Sequence, residues 1–68
     1  MKLRSPIFGT LAVIYAESGV QVQKGEALCE VEAMKVNYRV EAPCEGVVTW
    51  SGDLGEVFGE GDEIGEVS

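Results

Sequence analysis

The side chains of this 68-residue chain that could do covalent chemistry are the thiols of Cys29 and Cys44 and the amine of Lys35. A thiol nucleophile needs a base and an oxyanion-stabilising donor set. The chain contains no His, and no such donor set is visible, so catalysis by either cysteine is not expected. A zinc site would need carboxylates plus two distant thiols, which is a poor ligand set, and no metal is expected. Lys35 stands apart. It closes Glu32-Ala33-Met34-Lys35, between the strand-like runs Ala27–Val31 and Val36–Val40. A lysine between two strands has little structural work to do, and the Asn-Gly or Asp-Gly pair that favours a tight hairpin is missing. A segment that breaks a local rule inside a consistent sequence points to function. Lys35 reads as an amine held out to an enzyme for covalent modification.

The elements that must hold it are legible from an internal repeat. Ser5-Pro6-Ile7-Phe8-Gly9-Thr10-Leu11 aligns with Ala42-Pro43-Cys44-Glu45-Gly46-Val47-Val48, and residues 19–31 align with residues 55–67. One residue of slippage separates the two blocks. Two halves, about 5–34 and 42–67, are too few for a solenoid and suit two interlocked β-units around one core, related by a pseudo-twofold axis. The repeat also settles a local ambiguity. Ala27 to Val36 is rich in helix formers, but its mate in the second half carries Gly61 and Gly65 and makes a poor helix. With period two, Cys29, Val31 and Ala33 face one side and Glu30 and Glu32 the other. Val36, Tyr38 and Val40 alternate likewise with Asn37 and Arg39, so a hairpin turns between two strands at Lys35. Further strands are expected at Phe8–Tyr15, Gly46–Ser51 and Glu63–Val67, with short extended pieces at Val20–Val22 and Val57–Phe58. Gly19, Gly25, Gly55 and Gly61 are expected at positive-φ turn positions. The spacing of the turns is that of an all-β sandwich or barrel.

Composition bounds the rest. Apolar residues make up 46% of the chain and charged residues 25%, an ordinary globular balance. Residues 1–39 hold five bases against four acids, and residues 40–68 hold eight acids and no base, which gives the net charge of −7. Such a surface repels phosphate backbones and lacks a polybasic membrane patch, so neither nucleic acid nor membrane is an expected partner. The longest apolar run, Leu11 to Ala16, is strand-sized, far below the roughly 18 residues of a membrane span. Met1-Lys2-Leu3-Arg4 opens with positive charge, but no apolar stretch follows, so it does not read as a signal peptide. Two cysteines in such a chain read as free thiols in a reducing compartment. A cytoplasmic location is expected, with the mitochondrial matrix as the alternative.

Glu32-Ala33-Met34-Lys35 resembles the attachment motif of biotin carboxyl carrier domains, in the biotinyl/lipoyl attachment family. The framework agrees: Pro6-Ile7-Phe8-Gly9 at the start, Gly19 to Glu26 before the hairpin, and Ala42-Pro43-Cys44-Glu45-Gly46 after it. The similarity runs from about Ser5 to Val67. It implies a flattened β-barrel of two four-stranded sheets, a barrel-sandwich hybrid, formed by residues 1–68 as a single carrier domain. It implies that a biotin protein ligase attaches biotin to Lys35, with Glu32, Ala33, Met34 and Val36 contributing to ligase recognition. It further implies a non-catalytic swinging-arm carrier, monomeric when isolated, that shuttles carboxyl between biotin carboxylase and carboxyltransferase sites. The family often has Met or Leu where Val36 stands, and Pro-Met-Pro-Gly where Ile7 and Phe8 depart from it. No insertion separates Ala16 from Gly19, which makes the resemblance one to thumbless carriers. The rival reading is a lipoyl carrier domain of a 2-oxo acid dehydrogenase complex. That group usually has Asp immediately before the lysine, where this chain has Met34. An unmodified β interaction module is the third reading.

Overall fold

Val, Ile and Leu grouped in short runs between glycine-bearing turns favour brief pleated segments over helices. The computed structural model describes residues 1–68 and is all β. Its strands are β1 (Lys2–Arg4), β2 (Gly9–Ile14), β3 (Gln21–Val22), β4 (Ala27–Ala33), β5 (Val36–Glu41), β6 (Gly46–Trp50), β7 (Val57–Phe58) and β8 (Glu63–Val67). They form two four-stranded antiparallel sheets, ordered β1-β8-β6-β3 and β5-β4-β2-β7, that face each other as a flattened sandwich. No helix is long and apolar enough to cross a membrane.

The expected pseudo-twofold is present and exchanges the two sheets. Replacing β1 to β4 by β5 to β8, and the reverse, turns one strand order into the other. Backbone hydrogen bonds between the halves come in matched pairs. Gly19 N donates to Val48 O as Gly55 N donates to Leu11 O, and Gly25 N donates to Ala42 O as Gly61 N donates to Ser5 O. The four turn glycines Gly19, Gly25, Gly55 and Gly61 all have φ between 84° and 93°, the conformation that costs glycine no Cβ clash. Equivalent residues also fill the core: Leu11 and Val48, Val22 and Phe58, Leu28 and Ile64, Val31 and Val67 are all buried.

The register accounts for features that simple alternation misses. In β2, Leu11 is opposite Val31 and Val13 is opposite Glu30, so Ala12 is an extra residue. The matching β6–β8 ladder has none, running Val48, Thr49, Trp50 against Val67, Glu66, Gly65. That bulge is the one-residue slippage between the repeated blocks. A second pair of irregularities is itself symmetric: Leu28 is skipped between Ala27 and Cys29, and Ile64 between Glu63 and Gly65. Each bulge turns two consecutive residues inward, so Leu28 and Cys29 are both buried, as are Ile64 and Gly65. Strand β1 was not expected from sequence, and with it the repeat begins earlier than residue 5. Lys2-Leu3-Arg4 occupies the place in one sheet that Arg39-Val40-Glu41 occupies in the other. Trp50 is half-buried, and its indole N–H donates to Ala16 O at 2.7 Å.

Two equivalent glycines, one in each half, let strands approach closely at opposite ends. A Cβ on Gly9 would fall 2.4 Å from the Glu32 carbonyl oxygen, and one on Gly46 would fall 2.7 Å from the Ser68 carbonyl oxygen. Gly46 also pairs with Val22, and β3 leads through the Gly25 turn into the start of β4. Both chain ends therefore lie beside the base of the β4–β5 hairpin, away from its tip. Gly9→Ala should destabilise the fold by about 1–3 kcal/mol, because backbone rather than a movable side chain blocks the new methyl. Urea denaturation followed by Trp50 fluorescence measures it.

Candidate functional site

The hairpin reverses direction in two residues. Ala33 pairs with Val36, leaving Met34 and Lys35 as the whole loop. Their φ values are 52° and 66°, the only positive values on non-glycine residues in the chain. Positive φ at both central positions is the turn whose twist matches a hairpin, and Asn-Gly is its preferred pair. The sequence lacks that pair, yet the tight turn forms. Left-handed backbone at a non-glycine residue costs on the order of 1–3 kcal/mol, and it persists only where the surroundings over-determine it. Here strand β4 supplies that constraint, being paired to β5 on one edge and to β2 on the other.

The tip is open. Met34 is 96% exposed and Val36 51% exposed, and Lys35 is exposed as well. Lys35 makes no salt bridge; the chain's one ion pair joins Lys2 Nζ to Glu63 Oε1 at 3.1 Å. Of the residues singled out by sequence, the turn brings Ala33, Met34, Lys35 and Val36 together. Glu32 is different: it pairs with Asn37 and Thr10 one row back, on the outer face, whereas Ala33 and Val36 share the inner face. The Cys29 thiol is buried and its pKa is pushed up to about 12, by burial first and by the nearby Glu30 second. Burial holds it as an inert thiol. Cys44 is a second free, half-buried thiol packed against the core. No group of three or more metal-ligating side chains comes together.

The structure adds a cluster that sequence reasoning missed. On the outer face, Tyr15 Oη donates to the Glu30 carboxylate and Asn37 Nδ2 donates to Glu30 Oε1, the latter at 2.8 Å. Glu30 thereby ties the end of β2 to β5, two residues from Lys35, while Arg39 stands opposite it in the ladder. The hydrogen bonds from Tyr15 and Asn37 hold the Glu30 carboxyl below its usual range, with a smaller contribution from Arg39, while Tyr15 is raised by the same bond. The only signal for this in the sequence is the alternation that puts Glu30, Asn37 and Arg39 on one face. One open cleft of about 400 Å³ lies away from the tip. Besides Gly52, it is lined by three pairs of repeat-equivalent residues, Ile14 with Trp50, Glu17 with Asp53 and Ser18 with Leu54, so it straddles the pseudo-twofold axis.

A two-residue lysine-bearing turn on a symmetric eight-stranded sandwich is the geometry against which known proteins can be compared. The family model described as "Biotin-requiring enzyme" matches residues 1–67. The chain belongs to the biotin/lipoyl attachment family. Its members are non-catalytic carrier domains of multi-enzyme complexes. The biotin carboxyl carrier protein of acetyl-CoA carboxylase from Haemophilus influenzae is 45% identical over 53 residues, covering 68% of this chain and 34% of that protein. The dihydrolipoyllysine-residue succinyltransferase of the 2-oxoglutarate dehydrogenase complex from Rickettsia felis is 36% identical over 63 residues, 87% of this chain and 15% of that protein. Among solved structures, the urea carboxylase of Kluyveromyces lactis superposes on the whole chain with a TM-score of 0.91 at 26% identity, over 6% of its own length. The chain thus spans about a third of the first relative's length and far less of the other two.

Two outcomes are expected at the tip. Met34→Asn with Lys35→Gly should raise stability by about 0.5–1 kcal/mol, since glycine has no Cβ to clash at positive φ and the asparagine side chain offsets the strain by hydrogen-bonding locally; thermal unfolding measures it. The stability that Glu30 gains from its lowered pKa is present above its ordinary value of 4.5 and is lost as pH falls through the lower folded value. Glu30→Gln should therefore flatten the acid limb of the stability–pH profile while leaving Lys35 exposed.

Proposed function

We propose that the 68 residues are a single biotin carrier domain, with Lys35 as the residue acylated by a biotin protein ligase. What carries the reading is the turn itself: an exposed lysine without an ion-pair partner, on a two-residue loop in left-handed conformation, in a chain of this family. A rigid hairpin lowers the entropic cost of placing one amine in an enzyme's site. The attaching enzyme takes up the ammonium proton; Lys35 Nζ then forms the C–N bond as the activating group leaves the carboxyl carbon. The amide removes one positive charge from the tip. Biotin, once attached, would supply a ureido nitrogen for carboxyl transfer, and the protein supplies placement.

Ala33 and Val36 flank the acceptor on the inner face, and Met34 offers a flexible thioether beside it. With Glu32 behind them, these are the residues we assign to ligase recognition, Glu32 through the outer face. The carboxylases among its relatives support partners of the biotin carboxylase and carboxyltransferase type. Two free thiols suit a reducing compartment such as the cytoplasm. Both chain ends lie beside the base of the hairpin, so a neighbouring domain joined there would leave the arm unobstructed.

The second reading is lipoate, favoured by the 36% identity to the succinyltransferase over most of the chain. Met34 in place of Asp before the lysine argues for biotin. Intact-mass measurement after co-expression with a biotin ligase, and separately with a lipoate ligase, distinguishes them. The biotin reading predicts a biotin-sized increment that disappears in Lys35→Arg. A lipoyl-sized increment alone would transfer the site to the second reading, and no increment from either would end both.

A further inference from the structure

The repeat provides an internal control on the surface around Lys35. At the hairpin end, Pro6-Ile7-Phe8-Gly9 leads into β2; at the opposite end, Pro43-Cys44-Glu45-Gly46 leads into β6. Proline occupies equivalent positions, Ile7 and Cys44 are both half-buried, and both glycines sit tight against a carbonyl of the sister strand. At the position between them the two ends differ. Glu45 stands exposed at one, and Phe8, 68% exposed, at the other. The backbone is therefore content with a solvated carboxylate there, and nothing in the fold calls for an aromatic ring. A phenyl ring left mostly in solvent is of the residue type enriched at the cores of interfaces.

Its position is specific. Thr10 is opposite Glu32, and Gly9 abuts the Glu32 carbonyl, so Phe8 comes next, at the level of the Met34–Lys35 turn. Phe8, Met34 and Val36 are all exposed apolar residues at the end of the molecule that carries Lys35. We propose that Phe8 is a recognition anchor for the enzyme that acylates Lys35, received by an apolar recess beside that enzyme's active site. The inference rests on Lys35 being the acceptor. The acylating enzyme is the partner the geometry favours, because it must reach Nζ itself and so must cover the tip.

The test uses purified apo-protein and whichever ligase, biotin or lipoate, modifies the wild type, so the identity of the cofactor does not enter. Initial acylation rates are measured for wild type, Phe8→Ser, Phe8→Glu, Phe8→Met and Val47→Ser, the last an exposed apolar residue beside Gly46 at the far end. Phe8→Ser and Phe8→Glu should lower kcat/KM by roughly tenfold or more, mainly through KM, with unchanged melting temperature. Phe8→Met should stay within about threefold of wild type and Val47→Ser within about twofold, both less than the loss that marks an interface anchor. Phe8→Ser and Phe8→Glu acylated at the wild-type rate would overturn the anchor while leaving Lys35 as acceptor. Absence of acylation in wild type itself would overturn the acceptor reading, and the anchor with it.

Discussion

The double pairing of β4 governs the geometry of this molecule. One edge of that strand is hydrogen-bonded to β5 and the other to β2, and its inner face is closed by Leu28, Cys29 and Val31 in the core. A strand so held cannot shift register without moving its apolar residues into water. Because β4 is fixed, the two residues that follow it must reverse within the distance between neighbouring strands. Met34 and Lys35 therefore adopt positive φ despite having side chains. The strain at the tip is a consequence of the order behind it, and the same order makes the position of the amine reproducible.

Symmetry explains how so short a chain reaches that order. Each sheet takes strands from both halves, so neither half can close its own core alone, and folding one commits the other. The matched turn hydrogen bonds, Gly25 to Ala42 and Gly61 to Ser5, stitch the halves at equivalent points. Two breaks in the symmetry fall at the end that carries Lys35. The hairpin joining β4 to β5 has no counterpart between β8 and β1, because the chain ends fall there. The exposed Phe8 faces that hairpin's end, and Glu45 its opposite.

Much of this was readable from residue types. The repeat, the strands on both sides of Lys35, their alternation and the four positive-φ glycines were all visible, because each rests on a pattern of period two or on glycine's conformational freedom. What was not visible depended on long-range pairing. The slippage between the repeats is a bulge at Ala12, which only the β2–β4 register defines. Leu28 points inward against the alternation because a bulge turns it there. Strand β1 is three residues long and exists through its pairing with β8. The Glu30 cluster needed the end of β2 to be brought beside β4 and β5. Family resemblance identified the scaffold, but a scaffold shared by biotinyl and lipoyl domains leaves the cofactor to the residues at the tip, and above all to Met34.

The central claim is that placement, rather than the mere presence of an exposed amine, makes Lys35 the acceptor. The chain carries its own controls in Lys2 and Lys24, both exposed and the latter also in a tight turn beside Gly25. The most direct measurement is peptide-resolved mass spectrometry of the whole chain after limiting exposure to a biotin protein ligase. The account predicts a biotin-sized increment confined to the peptide bearing Lys35, with Lys2 and Lys24 unmodified. Modification spread over the three lysines, or found on Lys24 in preference to Lys35, would contradict it.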